Sequence, residues 1–451
     1  MQDDVKTTHP DITPDRVADW CLMRDTMRGQ RSVKHAGIRY LPMPSGFKSM
    51  PDGGEEAYNK AYKLRAIVPE LLAPSVAAMI GIIHAKETQI TIPDALSSIW
   101  ENADGEGMSL EAFHRRITRY LLWLGRYGVL TTAPMEGGEP FLAGYAGDSI
   151  INWDRDFFVL DESGKKRSGF EWKDNPKFRV LELVDGLYVS TVYEGESLDT
   201  VTVTGPVALG GQRLDFVPFY VGNARDVVSA IETPPLIGIA NAIINAYQLS
   251  ADWRWQLFMS GQETLVAING EAPKTVGAGV VHQMMGNDTV TPDLKYVSPT
   301  CSGIEAHEAA IEKQVEAAVM AGARMFEQEK STQESGEARR LRFASETANL
   351  QSISQVSAAL LERGLKAAAR MKGLDDSDIV VTPPKDLLDS TMSAADFAQL
   401  FTVYTQGGMS WETFYERGQA GGIFSPERDA DEEYALIDPE GTEDEQRAAL
   451  V

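Results

Sequence analysis

The stretch PPLIGIANAIINAYQLSADWRWQLFMSG (234–261) decides the fold. After the double proline Pro234-Pro235, the residues Leu236, Ile239, Ile243, Tyr247, Ser250, Trp253 and Leu257 recur every three or four positions, the period of one helix face. Proline suits only the first turn of a helix, so the pair marks the start, and Gly261 marks the end. A compact stretch follows, with strand-like TLVAI (264–268), GVVHQMM (279–285) and LKYV (294–297) joined by turns containing Gly and Pro. A second helical pattern covers 304–326. The polar interval EQEKSTQESG (327–336) comes next, and then a long helical pattern rich in Ala, Leu, Arg and Glu covers 337–372. The middle of the chain therefore reads as helix, small β insert, helix, polar loop, long helix.

On the N-terminal side, 1–57 is expected to be irregular and rich in Pro and Gly, with one short helix at 14–28. Helical patterns follow at 58–86 and 109–124. In the second, Leu110, Phe113, Ile117, Leu121 and Leu124 share a face, Ser109 stands as N-cap, and Gly125 and Gly128 end it. From 129 to 221 the texture changes to short β runs such as FRVLELV, LYVSTVYE and TVTVTG, the pattern of antiparallel strands. On the C-terminal side, helices are expected at 394–404 and 411–417, before an acidic tail. The fold class predicted is α+β.

The 451 residues suggest about three domain-sized units. A hydrophobic fraction of 43% with 24% charged residues excludes a wholly disordered chain, a collagen and a coiled-coil rod. Lys and Arg number 42 against 66 Asp and Glu, a net charge of −24, which opposes a surface built to grip phosphates tightly. Cys21 and Cys301 are too few for a disulfide scaffold or a thiolate zinc site, so a reducing cytoplasm is the expected place of assembly. The opening MQDDVKTTHPDITP lacks a basic and an apolar region, so no signal peptide is expected. The apolar stretch 64–85 contains Arg65, Pro69, Glu70, Pro74 and His84, which suit a buried, Pro-interrupted helix pair and not a membrane span.

Catalytic motifs are weak. No G-x-x-x-x-G-K-[ST] loop occurs. His307-Glu308 begins like the H-E-x-x-H zinc helix, but Ile311 stands where the second ligand belongs. Asn102, Asp104, Glu106 and Gly107 resemble half of an EF-hand loop, yet its twelfth position is Phe113; a turn plus N-cap is the plainer reading. Asp154 and Asp156 in NWDRD could hold a hard metal only with distant help, so no metal and no cofactor are expected. A metal-dependent enzyme using these two aspartates stays as a minor alternative. The aromatics Trp253, Trp255 and Phe258 suit packing in a core or subunit interface better than base stacking.

A sharper signal lies on the 304–326 pattern. Glu305, Glu308, Glu312 and Glu316 fall within a ~80° arc at the helical period, beside the apolar Ile304, Ile311, Val315 and Ala318. Like charges at this spacing carry a small cost. A solvated face explains them in a monomer. In a ring of copies they would line a hole with negative charge, through which DNA could slide without binding.

Six segments carry a family resemblance. They are ENADGEGMSLEAFHRRITRYLLWLGRYGVL (101–130), INWDRD (151–156), DFVPFYVGN (215–223), PPLIGIANAIINAYQLSADWRWQLFMSGQETLVAING (234–270), SGEARRLRFASETANLQSI (335–353) and QGGMSWETFYER (406–417). In this order they resemble a portal protein of tailed bacteriophages, over about 58–438. The resemblance implies a wing at 1–232, with the irregular arm 1–57 and then α+β structure. It implies a first stem helix at 233–260, a small β-containing clip at 261–302 and a second stem helix at 303–326. A channel loop at 327–336, a long helix with wing return at 337–384 and a small helical crown with acidic tail at 385–451 complete the plan.

What the resemblance implies for function is a structural, non-enzymatic ring, expected to be a dodecamer, at one capsid vertex. Double-stranded DNA would pass through it without sequence specificity during genome packaging and ejection. Partners would be the terminase large subunit and a head-tail adaptor at the clip, and major capsid or scaffold protein at the wing. The glutamates Glu305, Glu308, Glu312 and Glu316 would line the channel, and Lys330, Ser331, Thr332 and Gln333 would tip the channel loop. The location would be the virion, after assembly in the host cytoplasm. A minor head or adaptor ring protein is the alternative of the same kind.

Overall fold

The computed structural model describes residues 3–133, 138–204, 208–209, 212–261, 263–271, 273, 275–276, 283–286, 289–297, 303–322, 336–384, 387, 400–404, 408–420, 424 and 429–430. The chain divides into two compact units, Met1–Ile83 with Glu87–Pro383, and His84–Lys86 with Pro384–Val451. Helix and strand are mixed, with the strands antiparallel and concentrated between 126 and 223: an α+β fold.

The first 57 residues are more ordered than their composition suggests. Helix α1 (Pro14–Arg28) starts with Pro14 at its first position and Thr13 as N-cap, and α2 (Gln30–His35) follows directly. Trp20, Met23, Val33, Tyr40, Leu41 and Phe47 are buried, so this segment contributes to the core. Next come a π-helical turn at Ala57–Tyr62, the short α3 (Lys63–Arg65), and, beyond Pro69, α4 (Leu72–Ile83). The expected buried pair over 64–85 is met in part: α4 forms, while Leu64 and Ile67 before it are exposed. Strand β1 (Gln89–Thr91) and the short α5 (Ser98–Glu101) lead to α6 (Leu110–Trp123), where the Ser109 hydroxyl accepts from Ala112 N at 3.3 Å.

A three-stranded sheet runs in the order β13 (Phe219–Asn223), β2 (Arg126–Thr132), β3 (Phe141–Ala146). A five-stranded sheet runs β10 (Thr200–Thr204), β9 (Leu187–Glu194), β8 (Lys177–Val184), β5 (Phe157–Asp161), β4 (Ile150–Asp154). Leu130, Ile150, Phe158, Leu160, Leu181, Phe219 and Val221 form one buried cluster joining the sheets. Two small pairs are separate, β6 (Gly164–Ser168) with β7 (Glu171–Asn175), and β11 (Ala208–Leu209) with β12 (Gln212–Arg213).

Helix α7 (Ile237–Ser260) follows Pro234 and Pro235. The pair β14 (Thr264–Ile268) and β15 (Asp293–Val297) comes between it and α8 (Ile304–Gly322). The long α9 (Gly336–Met371) lies over the three-stranded sheet. Glycines permit that approach: a Cβ on Gly364 would meet Val129 Cγ1 at 3.1 Å, and one on Gly222 would meet Leu360 Cδ1 at 2.9 Å. Strand β16 (Val380–Thr382) returns to pair antiparallel with β1, closing a loop of almost three hundred residues.

In the second unit the described residues include helical 400–404 and α10 (Trp411–Ala420). Phe401, Tyr404, Trp411, Phe414, Tyr415 and Phe424 stack there into one aromatic cluster. No helix among the described residues is long and apolar enough to cross a membrane.

Candidate functional site

Helices α7 and α8 run antiparallel along each other. Asn245 Nδ2 donates to Gln314 Oε1 at 3.4 Å, Gln256 Nε2 lies 3.1 Å from His307 Nε2, and a Cβ on Gly238 would meet Ala321 at 3.3 Å. The α8 side of this seam is therefore His307, Gln314 and Ala321, spaced by seven residues, with Ala318 buried beside them. At the helical period, Glu305, Glu308, Glu312 and Glu316 lie roughly 100° to 180° round α8 from His307. All four are exposed. The apolar Ile304, Ile311 and Val315 are half-buried on the near flank. The carboxylates thus point away from the partner helix and into solvent.

The middle of α7 is anchored. Ser250 Oγ donates to Ile67 O and accepts from Ile67 N, and Gln248 Nε2 donates to Tyr40 O at 2.7 Å. Tyr62 OH donates to the Asp252 carboxylate. Burial together with that hydrogen bond pushes the tyrosine's pKa well above the usual range. Beyond Ala251 the helix side chains are half-buried or exposed. Trp255 packs edge-on against Phe47 at 5.2 Å, and the Arg65 guanidinium lies 3.7 Å over the Phe258 ring. These two aromatics are engaged in packing within the chain.

The weaker motifs resolve into local structure. Asp104 Oδ1 accepts from Glu106 N and Met108 N, and Asn102 Oδ1 accepts from Gly107 N, so the oxygens of the EF-hand-like loop close the turn before α6. Asp154, Arg155 and Asp156 are exposed at the β4–β5 turn, where Asp154 Oδ1 accepts from Arg155 N. His307 faces the α7 amide instead of a second imidazole. Buried His114 places Nε2 3.1 Å from Ser357 Oγ, tying α6 to α9. Among the described residues, no group of three His, Cys, Asp or Glu could hold a metal. Lys330, Ser331, Thr332 and Gln333 lie outside the described residues.

Two features escaped the reading of the sequence. Arg126 is buried with no ion pair among the described residues: its guanidinium donates to the carbonyls of Gly147, Ile150 and Ser229 and stacks 4.0 Å over Trp153. Burial lowers its pKa to about 9. An arginine inside a β run carries no signal that it will be enclosed. The other is the almost fully exposed β6–β7 pair, GKKRSGFEWKDN (164–175), whose signal was a basic, aromatic run within an acidic chain.

Residues 235–371 match a family described as a domain of unknown function (DUF4055). No curated protein matches the chain. Among solved structures, it is similar to a chain from the neck of an empty GTA particle computed with C6 symmetry, at 14% identity and a TM-score of 0.40, covering 78% of this chain and 89% of that one. A chain from the neck of a native GTA particle computed with C12 symmetry shares 15% identity at a TM-score of 0.38, covering 84% and 92%. A third, from the virion of a native gene transfer agent (GTA) particle, shares 13% at 0.40, covering 78% and 89%.

Proposed function

We propose that this chain is a structural, non-enzymatic portal subunit of a phage-like virion, which closes into a ring around a channel for double-stranded DNA. The observation that carries the reading is the exposed one-sided stripe of Glu305, Glu308, Glu312 and Glu316, turned away from the α7 seam. From first to last glutamate the stripe covers eleven residue steps, ~16 Å along the axis. Its like charges cost local stability, on the order of a few tenths of a kcal/mol per pair, and return nothing in an isolated helix. Repeated around a ring, they give a wall that repels a phosphate backbone from every side. A duplex then has no position at which it binds, and it slides.

In this reading α7 and α8 are the stem, β14 and β15 belong to the clip, and the sheets with α9 form the wing. Residues 385–451 form the small crown. Glu305, Glu308, Glu312 and Glu316 line the channel, while Lys330, Ser331, Thr332 and Gln333 tip the channel loop and touch DNA weakly through a single cation. The clip serves the terminase large subunit during packaging and a head-tail adaptor afterwards. The wing meets major capsid or scaffold protein. The ring, a dodecamer, is made in the host cytoplasm and resides at the capsid vertex.

Negative-stain imaging of the purified chain tests the proposal. Rings with a central hole are expected. Monomers under all assembly conditions, scaffold included, refute it.

A further inference from the structure

The ribbon β6–β7 is a two-stranded sheet of its own that follows the ends of β5 and β8 after Glu162, Ser163 and Pro176. Gly169, with φ of 64°, opens its two-residue turn, as a tight hairpin requires. Ten of its twelve residues are strand, and nearly every side chain is exposed: Phe170 at 106% and Trp172 at 62%. Lys166 stands directly opposite Lys173 across the ladder, a like-charge pair that weakens the hairpin. Two strands alone are marginal in water, and this pair buries no apolar face of its own. Among the described residues its root is held by Lys166 Nζ on Glu194 Oε1 at 2.6 Å and Asn175 Nδ2 on the same oxygen at 3.2 Å. The sequence therefore maintains an exposed aromatic and basic tip at a cost to the monomer.

We infer that the 164–175 ribbon is an arm that docks on the acidic body of a second copy of this chain. Charge complementarity selects the occupant. The arm carries four basic side chains against two acidic ones, within a chain of net charge −24. Any second copy thus offers it an oppositely charged surface. Phe170, Trp172 and Arg167 are the residue types that dominate protein interfaces when buried. A nucleic-acid arm would need more cations: Glu171 and Asp174 interrupt the few present, and the acidic body repels a polyphosphate. An arm docking on a different patch of the neighbour is a head-to-tail contact, the kind that closes rings. The inference rests on the ring reading for the number of copies and adds one side of the contact between them.

The test places the photo-crosslinking residue p-benzoylphenylalanine at 170 in the full chain, with sedimentation velocity on the same sample. The expected result is a crosslink from position 170 to an acidic surface of another copy. A quadruple variant, K165E/R167E/F170S/W172S, is expected to weaken self-association roughly thirty-fold while unfolding at an unchanged temperature. Self-association without any crosslink between copies overturns the arm and leaves the ring. Crosslinked assemblies that never close into rings support the arm and count against the ring. Flotation with phosphatidylserine vesicles, or a shifted single-stranded oligonucleotide, lost in the variant and without crosslinks between copies, overturns it in favour of a lipid or nucleic-acid target.

Discussion

The root of the ribbon arm contains a half-buried ionic cluster whose contribution can be measured by pH. Glu162 Oε1 accepts from Arg179 Nε at 2.6 Å and from Tyr145 OH at 2.6 Å, and Lys177 Nζ lies 2.6 Å from Oε2. Burial opposes its ionisation, but Arg179 above all, then Lys177 and Tyr145, outweigh that and hold its pKa at about 2, against 4.5 for an ordinary glutamate. The folded value lies below the unfolded one, so on acidification the unfolded chain takes up the proton first. The contribution is complete above about pH 4.5 and is lost as pH falls toward 2. A difference of that size corresponds to about 3 kcal/mol at neutral pH. E162Q keeps the shape and removes the charge. The stability gap between wild type and E162Q, read from urea midpoints by tryptophan fluorescence, is expected to narrow by about 2 kcal/mol between pH 7 and pH 3. A gap that stays constant with pH would refute the ionic account and leave Glu162 as a packing residue.

Other outcomes follow from the same geometry. E308K/E312K changes exposed side chains only, so thermal stability should move by about 0.5 kcal/mol or less, while packaged DNA per particle falls; unchanged packaging would remove the stripe from the channel. G364V forces a side chain against Val129 and Leu142 and should cost about 1–3 kcal/mol in urea unfolding. S109A removes the α6 cap and should cost about 1 kcal/mol, measured the same way. Millimolar calcium should leave the melting temperature unchanged, because Asn102 and Asp104 already accept backbone N–H groups; a saturable rise would restore the calcium reading.

Local signals made much of the fold legible. The N-cap Ser109 and the stripe from Leu110 to Leu121 define α6, and Pro14 marks the first position of α1. Pro235 and Gly261 bracket α7, and the runs TLVAI and LKYV are the strands β14 and β15. Each depends on neighbours within a few residues, so period and punctuation suffice. In the 1–57 segment Trp20, Val33, Leu41 and Phe47 are too irregularly spaced to show a face, yet all are buried.

The sequence by itself determined that Glu305, Glu308, Glu312 and Glu316 share an arc of one helix, since helical period is a local property of the backbone. Which way that arc turns depended on the antiparallel seat of α7 against His307 and Gln314, a contact between residues as much as 69 apart. The β1–β16 pairing, the enclosure of Arg126 by three carbonyls, and the freedom of the ribbon tip are of the same kind. Burial and exposure belong to the packed chain, because removing a side chain from water takes neighbours that sequence distance does not reveal.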